Sequence, residues 1–493
     1  MMKRKKRFCI FMSAVLVVMA FSAATLSPVA SAESGQQPPA LPEGAMPGDP
    51  PAGMGGPGGE MGMPPDGMPS ESGRPDGAPG GMGGPGSSAD IEYSGAVEIV
   101  SAENQEDQSY ESSAADQSAL LISTTEDVTI VNPTVTKTGS SDGGDNCNFY
   151  GLNAAVLVKD GSTTTITGGS ILSEADGANG VFSYGGNGGQ NGAEGDGTSV
   201  MIRDTTITTK GNGSGGIMTT GGGVTEAYNL TVETSGRSSA AIRTDRGGGT
   251  VHVDGGSYTT NGLGSPAIYS TADITVENAE LVSNLSEGVC IEGKNSITLN
   301  NCDLTANNTE CNGNATFHDS IMIYQSMSGD ADSGTSAFSM TGGSLTSKSG
   351  HVFHVTNTNA LISLSGVKVN NEDTENVLIS VCDDGWSGAE NVAVLLADAQ
   401  ELNGTILVGS NSALSLNLSN GSSLFGAVSG SIVNARGDTV SSEVGTVNVT
   451  LDATSTWALT ADSYVTSFDG DAANIISNGY TLYVNGVALE GTN

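Results

Sequence analysis

The chain has 493 residues, of which 71 are glycine, and only 14% of its residues are charged. Serine, threonine, asparagine and glycine take the place of the missing charges. This composition is too polar for a helical globule and favours many short strands joined by tight turns. The formal net charge of −37 excludes nucleic acid as a partner, because binding to phosphates needs a basic stripe.

The first 32 residues have the three parts of a secretory signal peptide. A basic start, MMKRKKR, precedes an apolar run, FCIFMSAVLVVMAF, and the small residues ASA end at Ala32. We predict cleavage after Ala32, because the apolar run is shorter than the roughly 18 residues of a spanning helix. Five basic residues and no acidic one leave with the signal, so the mature chain carries 54 acidic and 12 basic residues, a net charge of −42. We expect it to be secreted, without a transmembrane segment.

Residues 33–88 form a second segment, which cannot bury a hydrophobic core. They hold 13 of the chain's 16 prolines, 17 glycines and six methionines. This composition is typical of a flexible linker, and we predict a disordered spacer between the cell envelope and the folded part. We assign residues 89–125 to the N-terminal cap of the folded part.

A repeat runs from residue 126 to residue 390. In TVHVDGGSYTTNG, residues 250–262, two apolar residues stand five positions apart on either side of two glycines. The same spacing recurs at intervals of about two dozen residues in nine pairs: Ile130/Val135, Ile166/Ile171, Ile202/Ile207, Ala227/Val232, Val253/Tyr258, Val276/Leu281, Leu299/Leu304, Met340/Leu345 and Leu364/Val369. Internal repetition with this period indicates a solenoid.

Each pair encloses a corner. The residues two positions after the first apolar member are Asn132, Gly168, Asp204, Asn229, Gly255, Asn278, Asn301, Gly342 and Gly366. All of them tolerate the left-handed backbone conformation, so the chain can turn there between two strands. A third apolar residue often follows ten positions later, for example Ile217, Ile268 or Ile291, and adds a third strand.

Three short strands per repeat predict an all-β fold, a right-handed parallel β-helix with about two dozen residues per coil. A leucine-rich horseshoe is excluded because its L-x-x-L-x-L pattern is absent, and a β-propeller needs longer repeats. Beyond residue 390 the spacing becomes six, at Leu396/Leu402, Leu418/Leu424 and Leu451/Trp457, so residues 391–439 form coils of altered spacing. Bulky aromatic residues then predict a C-terminal cap at 440–493.

The coils, the Asn/Gly corners and the small-residue turns resemble the pectate-lyase-like superfamily of right-handed parallel β-helix proteins. The stretches STWALTADSYVTSFDG and NGYTLYVNG also resemble the ends of β-helix surface proteins of Gram-positive gut bacteria. The resemblance covers roughly residues 90–493. It implies this fold and a choice among polysaccharide lyases, glycoside hydrolases and noncatalytic adhesins. The Gly-His-Gly and Arg-Ile-Lys motifs of the polygalacturonase-like hydrolases are missing here.

Stacking of the repeats predicts a sugar-binding groove beside the third strands. The expected outward columns are Phe182, Met218, Arg243, Tyr269 and Glu292, and, two positions later, Tyr184, Thr220, Asp245, Thr271 and Lys294. Aromatic faces beside a charged anchor are what a sugar-binding groove needs. The predicted ligand-binding residues are Phe182, Tyr184, Met218, Arg243, Asp245, Arg246 and Tyr269. Alternatively, the two arginines only pair with Asp245 and Asp204 on an acidic surface.

The sequence therefore favours a secreted or surface-associated, noncatalytic, adhesin-like protein that binds a polysaccharide or another surface glycan. One alternative is a calcium-assisted polysaccharide lyase or glycosidase with Arg243, Asp245 and Asp204 as its catalytic residues. A second alternative is a purely structural coat protein. No cofactor is predicted other than this calcium, for which the acidic loops offer oxygen ligands without an EF-hand pattern.

Three weaker features complete the interpretation. The pair Asp383/Asp384 in CDDG is interpreted as a solvated turn. His351 and His354 stand three apart on a strand, so we expect them to point to opposite faces, and no Ser/His/Asp arrangement is predicted. The five cysteines of the mature chain form no C-x-x-C motif and are interpreted as buried single thiols.

Overall fold

The structure is a computed structural model that describes residues 91–188 and 194–493. Within these residues the protein is all-β, with large parallel sheets and almost no helix. The predictions for residues 1–32 and 33–88 lie outside the described residues. Of the helices in the described ranges, none is long and apolar enough to span a membrane.

The first of two large sheets has 13 strands, and each strand pairs in parallel with its neighbours. Its strands, in chain order, are Gly95–Ile99, Ser118–Ser123, Val156–Lys159, Val181–Tyr184, Ile217–Thr220, Ile242–Thr244, Ile268–Ser270, Val289–Glu292, Asp319–Tyr324, His351–Thr356, Val377–Val381, Thr405–Val408 and Val428–Ser429. Each repeat therefore contributes one strand to this sheet.

The second large sheet has 22 strands. They are Glu103–Glu106, Ser109–Ser112, Asp127–Val131, Thr134–Lys137, Thr163–Thr167, Ser170–Ser173, Ser199–Arg203, Thr206–Thr209, Gly223–Thr234, Gly249–Thr260, Asp273–Glu277, Glu280–Ser283, Ser296–Asn300, Asp303–Asn307, Thr335–Thr341, Ser344–Ser349, Asn359–Ser365, Lys368–Asn371, Asn391–Asp398, Ser412–Ser419, Thr446–Leu451 and Ser467–Asp469. Most repeats contribute two strands to it, one on either side of the corner.

The remaining elements are small. Three minor sheets contain Glu401–Asn403, Ser423–Gly426, Thr456–Leu459 and Ile475–Ile476; Ile432–Val433 and Thr439–Ser441; and Ser463–Val465, Leu482–Val484 and Val487–Ala488. The described helices are the short α-helix Asp145–Tyr150 and the 3-10 turn Ala472–Asn474. The predicted boundaries at 89–125, 391–439 and 440–493 stay predictions.

Successive repeats pair in register, and their apolar residues form one buried stripe. Ile202 pairs with Ala227, Ala227 with Val253, and Val253 with Val276, and all four side chains are buried. The second members follow the same order, since Tyr258 pairs with Leu281. This register confirms the predicted alignment of the repeats and is consistent with a parallel β-helix.

The corners also agree with the prediction, because all nine corner residues have positive φ angles between 49° and 75°. In the stretch 250–262 the corner does not end the strand. Gly249–Thr260 is one continuous strand, kinked at Gly255 and Gly256 with φ angles of 75° and 96°. A Cβ atom on Gly255 would lie 2.5 Å from Oδ1 of Asn229 in the preceding repeat, so glycine at this corner avoids displacing that side chain.

One predicted interior position and one predicted register were wrong. Leu396 is exposed, and Ala397 takes the interior place that pairs with Leu418. Ile291 is buried as predicted, but Val289 pairs with Ile268 in its place. In both cases hydrophobicity alone does not determine the register, because every second residue of a strand faces the same side and a neighbouring apolar residue fits the pattern too.

Candidate functional site

The outward side chains of the 13-stranded sheet form one column along the repeats. Phe182 pairs with Met218, Met218 with Arg243, and Arg243 with Tyr269, in the predicted order. The next residue of the column is Cys290 and not Glu292, because the strand that carries both is shifted by two residues relative to the predicted register.

The column begins beneath the short α-helix. Phe182, Tyr184 and Met218 are buried there in one cluster with Phe149 and Tyr150 of the helix. The rings of Tyr150 and Tyr184 meet edge to face, with centroids 5.8 Å apart. Apolar side chains on the outer face of a sheet are stable only when another element covers them, and the helix does this. The three residues are therefore a packing surface, and not the exposed aromatic faces that the sequence suggested.

An ion pair occupies the middle of the column. Nη2 of Arg243 donates to Oδ2 of Asp245 at 2.6 Å, and the guanidinium lies 5.5 Å from the ring centroid of Tyr269. Asp245 also accepts the backbone N–H of Arg246 at 2.9 Å. Burial raises the pKa of Asp245 to about 7, although Arg243 acts in the opposite direction. The guanidinium of Arg243 is thus held by the carboxyl group of Asp245 and the ring of Tyr269.

Arg246 pairs with Asp330, a residue that sequence reasoning missed. The two side chains meet at 2.5 Å, and the guanidinium of Arg246 lies 4.2 Å from the ring centroid of Phe149. Asp330 stands in the loop before the strand Thr335–Thr341, so no local spacing in the sequence predicts this contact.

Asp204 does not join this group. It is the exposed corner residue between the strands Ser199–Arg203 and Thr206–Thr209 of the 22-stranded sheet, whereas Arg243 and Asp245 belong to the 13-stranded sheet and the turn after it. The structure therefore does not assemble Arg243, Asp245 and Asp204 as a catalytic set, because the corner and the third strand lie on different faces of the repeat.

Beyond Tyr269 the column opens into a pocket of about 80 Å³. Its walls include the rings of Tyr269, Tyr324 and Trp386 and the side chains of Glu287 and Cys290. The other lining residues are Gly264, Pro266, Asn312, Ala315 and Met322. The ring centroids of Tyr324 and Trp386 lie 4.8 Å apart, and the two ring planes are inclined to each other by 53°. Sites for whole small molecules measure roughly 300–1,000 Å³, so this pocket accepts one small group of a larger ligand.

Glu292 orients the two tyrosines of the pocket. The hydroxyls of Tyr269 and Tyr324 donate to its Oε2 at 2.5 and 3.1 Å, and the hydroxyl of Ser326 donates to Oε1. Burial raises the pKa of Glu292 above its usual range. Because both phenol hydroxyls are bound to Glu292, the rings of the tyrosines, rather than their hydroxyls, are available to a ligand.

A buried polar network joins the two loops that complete the pocket. Oδ1 of Asp384 accepts the backbone N–H of Thr316 at 2.8 Å and its hydroxyl at 2.6 Å. Oδ2 of Asp384 lies 3.3 Å from Nε2 of His354. The hydroxyl of Ser380 lies 2.8 Å from Nδ1 of His354 and 2.7 Å from Nδ1 of His351. Asp384 thereby connects the loop of Asn312 and Ala315 to the loop of Trp386.

The two histidines face the same side of their strand, contrary to the prediction. The strict alternation of a strand would place residues three apart on opposite faces. Here Val352 and Phe353 both enter the hydrophobic core, so the alternation shifts by one residue between them. His351 and His354 consequently both contact Ser380. The spacing of the two histidines in the sequence does not reveal this shift.

The interpretation of Asp384 as a solvated residue was also wrong, because its side chain is 0% exposed, whereas Asp383 is exposed. Burial alone would raise the pKa of Asp384, but His354, Thr316 and the N–H of Gly385 together lower it. The arrangement of Ser380, His354 and Asp384, which the sequence did not reveal, lies beneath the ring of Phe317, 4.6 Å from that of His354. All three side chains are shielded from solvent, and together they connect the strand of His354 to the two loops.

The thiols agree with the prediction. The five cysteines of the described ranges are free, and only Cys311 is not fully buried. Among the described residues, no group of three or more histidine, cysteine, aspartate or glutamate side chains could hold a metal ion.

Comparisons with protein-family models, curated proteins and solved structures found no match to this chain. The site is therefore interpreted from its own geometry.

Proposed function

We propose that this chain is a right-handed parallel β-helix of the pectate-lyase-like type, exported and retained at the cell surface, where it binds a glycan without catalysis. The in-register repeats and the left-handed corners support the fold. The signal-like start of the sequence supports export.

The observation that carries the binding function is the pocket lined by Tyr269, Tyr324 and Trp386. Aromatic faces with a few polar groups between them are the usual surface for sugar rings, whose C–H faces are apolar and whose edges form hydrogen bonds. Glu287 and Asn312 supply the polar groups here. The pocket receives one substituent of a sugar, and the rest of the glycan lies outside the pocket.

We propose that the protein is noncatalytic because the two side chains that could act as bases are engaged by other residues or buried. Arg243 is engaged by Asp245, and Ser380 is buried with His354 and Asp384. A general base must reach the proton that it abstracts, and neither group does so in this arrangement.

Tryptophan fluorescence tests the binding site directly, since the chain has only two tryptophans. Trp457 is buried in the core and donates its indole N–H to the carbonyl of Gly426 at 2.9 Å, whereas Trp386 lines the pocket. We expect a bound glycan to change the emission of the wild-type protein, and the Trp386→Phe variant to lose this change. If no glycan in a broad array binds the wild-type protein, the proposed function is wrong.

The noncatalytic part has its own assay. The protein is incubated with acidic polysaccharides and calcium, and the ultraviolet absorbance of unsaturated products is followed. We expect no product. Sustained product formation that Arg243→Ala abolishes would establish a lyase instead.

A further inference from the structure

The pocket has the walls of a site for a cation. The rings of Tyr324 and Trp386 are inclined to each other by 53°, and their π-electron faces carry partial negative charge. The hydroxyls of Tyr269 and Tyr324 are occupied by Glu292, so these residues contribute rings rather than hydrogen-bond donors. Ammonium groups bind over such ring faces within about 6 Å of the centroid.

The residues that line the pocket include one carboxyl group, that of Glu287. Glu287 is 6% exposed, lines the pocket, and accepts the hydroxyl of Ser286. The buried Asp319 lies behind it, and burial together with the neighbouring Glu287 raises the pKa of Asp319 well above its usual range. The pocket wall thus contains the carboxyl group of Glu287, with the second carboxyl group of Asp319 buried behind it.

No basic residue of the described ranges forms an ion pair with Glu287. Among the residues that line the pocket there is no lysine, arginine or histidine. Arg243 stacks on Tyr269 but pairs with Asp245 at 2.6 Å. Arg237 donates to Oδ1 of Asn312 at 3.0 Å from an exposed position, where solvent screens its charge. The whole chain, with 54 acidic and 17 basic residues, also attracts cations.

The size of the pocket agrees with a small cationic group. Its volume of about 80 Å³ is well below the roughly 300 Å³ of the smallest sites for whole small molecules. An ammonium group with its adjoining carbon fits this volume, but a complete sugar ring does not. Apolar lining from Pro266, Cys290 and Met322 favours the desolvation that strengthens a cation–π contact.

We propose that this pocket binds the ammonium group of an amino sugar within a glycan, between the rings of Tyr324 and Trp386 and against the carboxylate of Glu287. The inference rests on the proposed glycan-binding function and names its ligand class. It implies that acidic polysaccharides are poor ligands, because the pocket and the surface around it repel them.

The test compares two oligosaccharides that differ only in the amine. A glucosamine oligomer carries ammonium groups, whereas the matching N-acetylglucosamine oligomer carries neutral amides on the same sugar backbone. Binding to the full chain is measured by Trp386 fluorescence and by calorimetry at constant ionic strength. We expect the glucosamine oligomer to bind about tenfold more tightly, which corresponds to about 1.4 kcal/mol.

Two variants separate specific binding from attraction to an acidic surface. Glu287→Gln keeps the shape of the pocket and removes its charge, and we expect an about tenfold loss of affinity for the glucosamine oligomer only. Glu280→Gln, at an exposed position of the 22-stranded sheet, is the matched control and should change nothing. Circular dichroism and thermal melting verify that both variants fold.

Each result has a defined meaning. Equal affinity for the two oligomers would overturn this inference and leave glycan binding intact. Binding of the glucosamine oligomer that survives both Glu287→Gln and Trp386→Phe would also overturn it, because the pocket would not be involved. If neither oligomer nor any other glycan binds, the proposed function falls together with the inference.

Discussion

The outer face of the 13-stranded sheet is covered in two different ways. Near its beginning, the short α-helix covers Phe182 and Met218 with Phe149 and Tyr150, and the contact is almost entirely apolar. Farther along, two loops cover the same face, and a network of ionisable side chains around His354 holds them in place. The first cover buries the side chains beneath it completely, whereas the second leaves the pocket beside Trp386.

This difference shows how one repeated surface can provide both packing and binding. Apolar contacts are non-directional, so a helix can close over them completely. Hydrogen bonds fix the loops at a few points and leave space between these points. The first cover should therefore dominate stability and be indifferent to pH, whereas the second should respond to pH and determine access to the ligand.

The largest effect is expected at the apolar cover. Phe182→Ala removes a fully buried ring between the sheet and the helix, and should lower the free energy of unfolding by about 3–5 kcal/mol, because a cavity replaces it. Urea denaturation measures the loss. Ligand-induced fluorescence at Trp386 should persist in the folded variant, since the pocket has no part in this cluster. A loss below about 1 kcal/mol would mean that the helix does not seal this face.

The second effect concerns acid. Burial, together with His354 and His318, lowers the pKa of His351 to about 3. Between pH 6.5 and 3, His351 binds a proton in the unfolded chain but not in the folded chain. The free energy of unfolding therefore falls as the pH decreases through this window. At about 1.4 kcal/mol per pH unit, the loss reaches about 3 kcal/mol at pH 4.

Other buried groups change the stability in the opposite direction as the pH falls. The contribution of His351 is therefore isolated by comparing the His351→Asn variant with the wild-type protein. Asp245, with its pKa raised to about 7, favours the folded state as the pH falls. We expect the stability difference between the variant and the wild-type protein to shift towards the variant by about 3 kcal/mol from pH 7 to pH 4. His252→Asn, at a partly exposed position, is the control. A difference that does not depend on pH would show that His351 is accessible to protons in the folded state.

Much of the fold was predictable from the sequence because the repeat is regular. Each repeat carries the same local pattern, a small residue at the corner and two apolar residues five positions apart. The predicted register failed at Leu396, where the adjacent Ala397 faces inward instead, and at Ile291, where Val289 also faces inward two residues earlier. A single strand cannot resolve that choice, because it depends on the neighbouring strand.

The candidate site was less predictable. The sequence identified Tyr269 and the pair Arg243/Asp245, since these positions follow from the repeat itself. It missed Trp386 and the helix over Phe182, because they reach the site from segments outside the repeat pattern. It also missed Tyr324, whose repeat strand Asp319–Tyr324 follows Leu304 by more than the expected ten positions. Covering segments of this kind carry no periodic signal, and their contacts depend on tertiary structure alone.

The smallest effect should be found in the loops themselves. Thr316→Val keeps the side-chain volume and removes one hydroxyl donor from the buried carboxylate of Asp384. We expect a loss of about 1–2 kcal/mol in the free energy of unfolding, because hydrogen bonds to charged groups contribute somewhat more than neutral ones. Acrylamide should also quench Trp386 more strongly, since the two loops lose one of their connections. Thr206→Val, at an exposed position of the 22-stranded sheet, should change neither measurement. Unaltered quenching in Thr316→Val would mean that the network stabilises the protein without shaping the pocket, and the contrast between the two covers would then be one of stability alone.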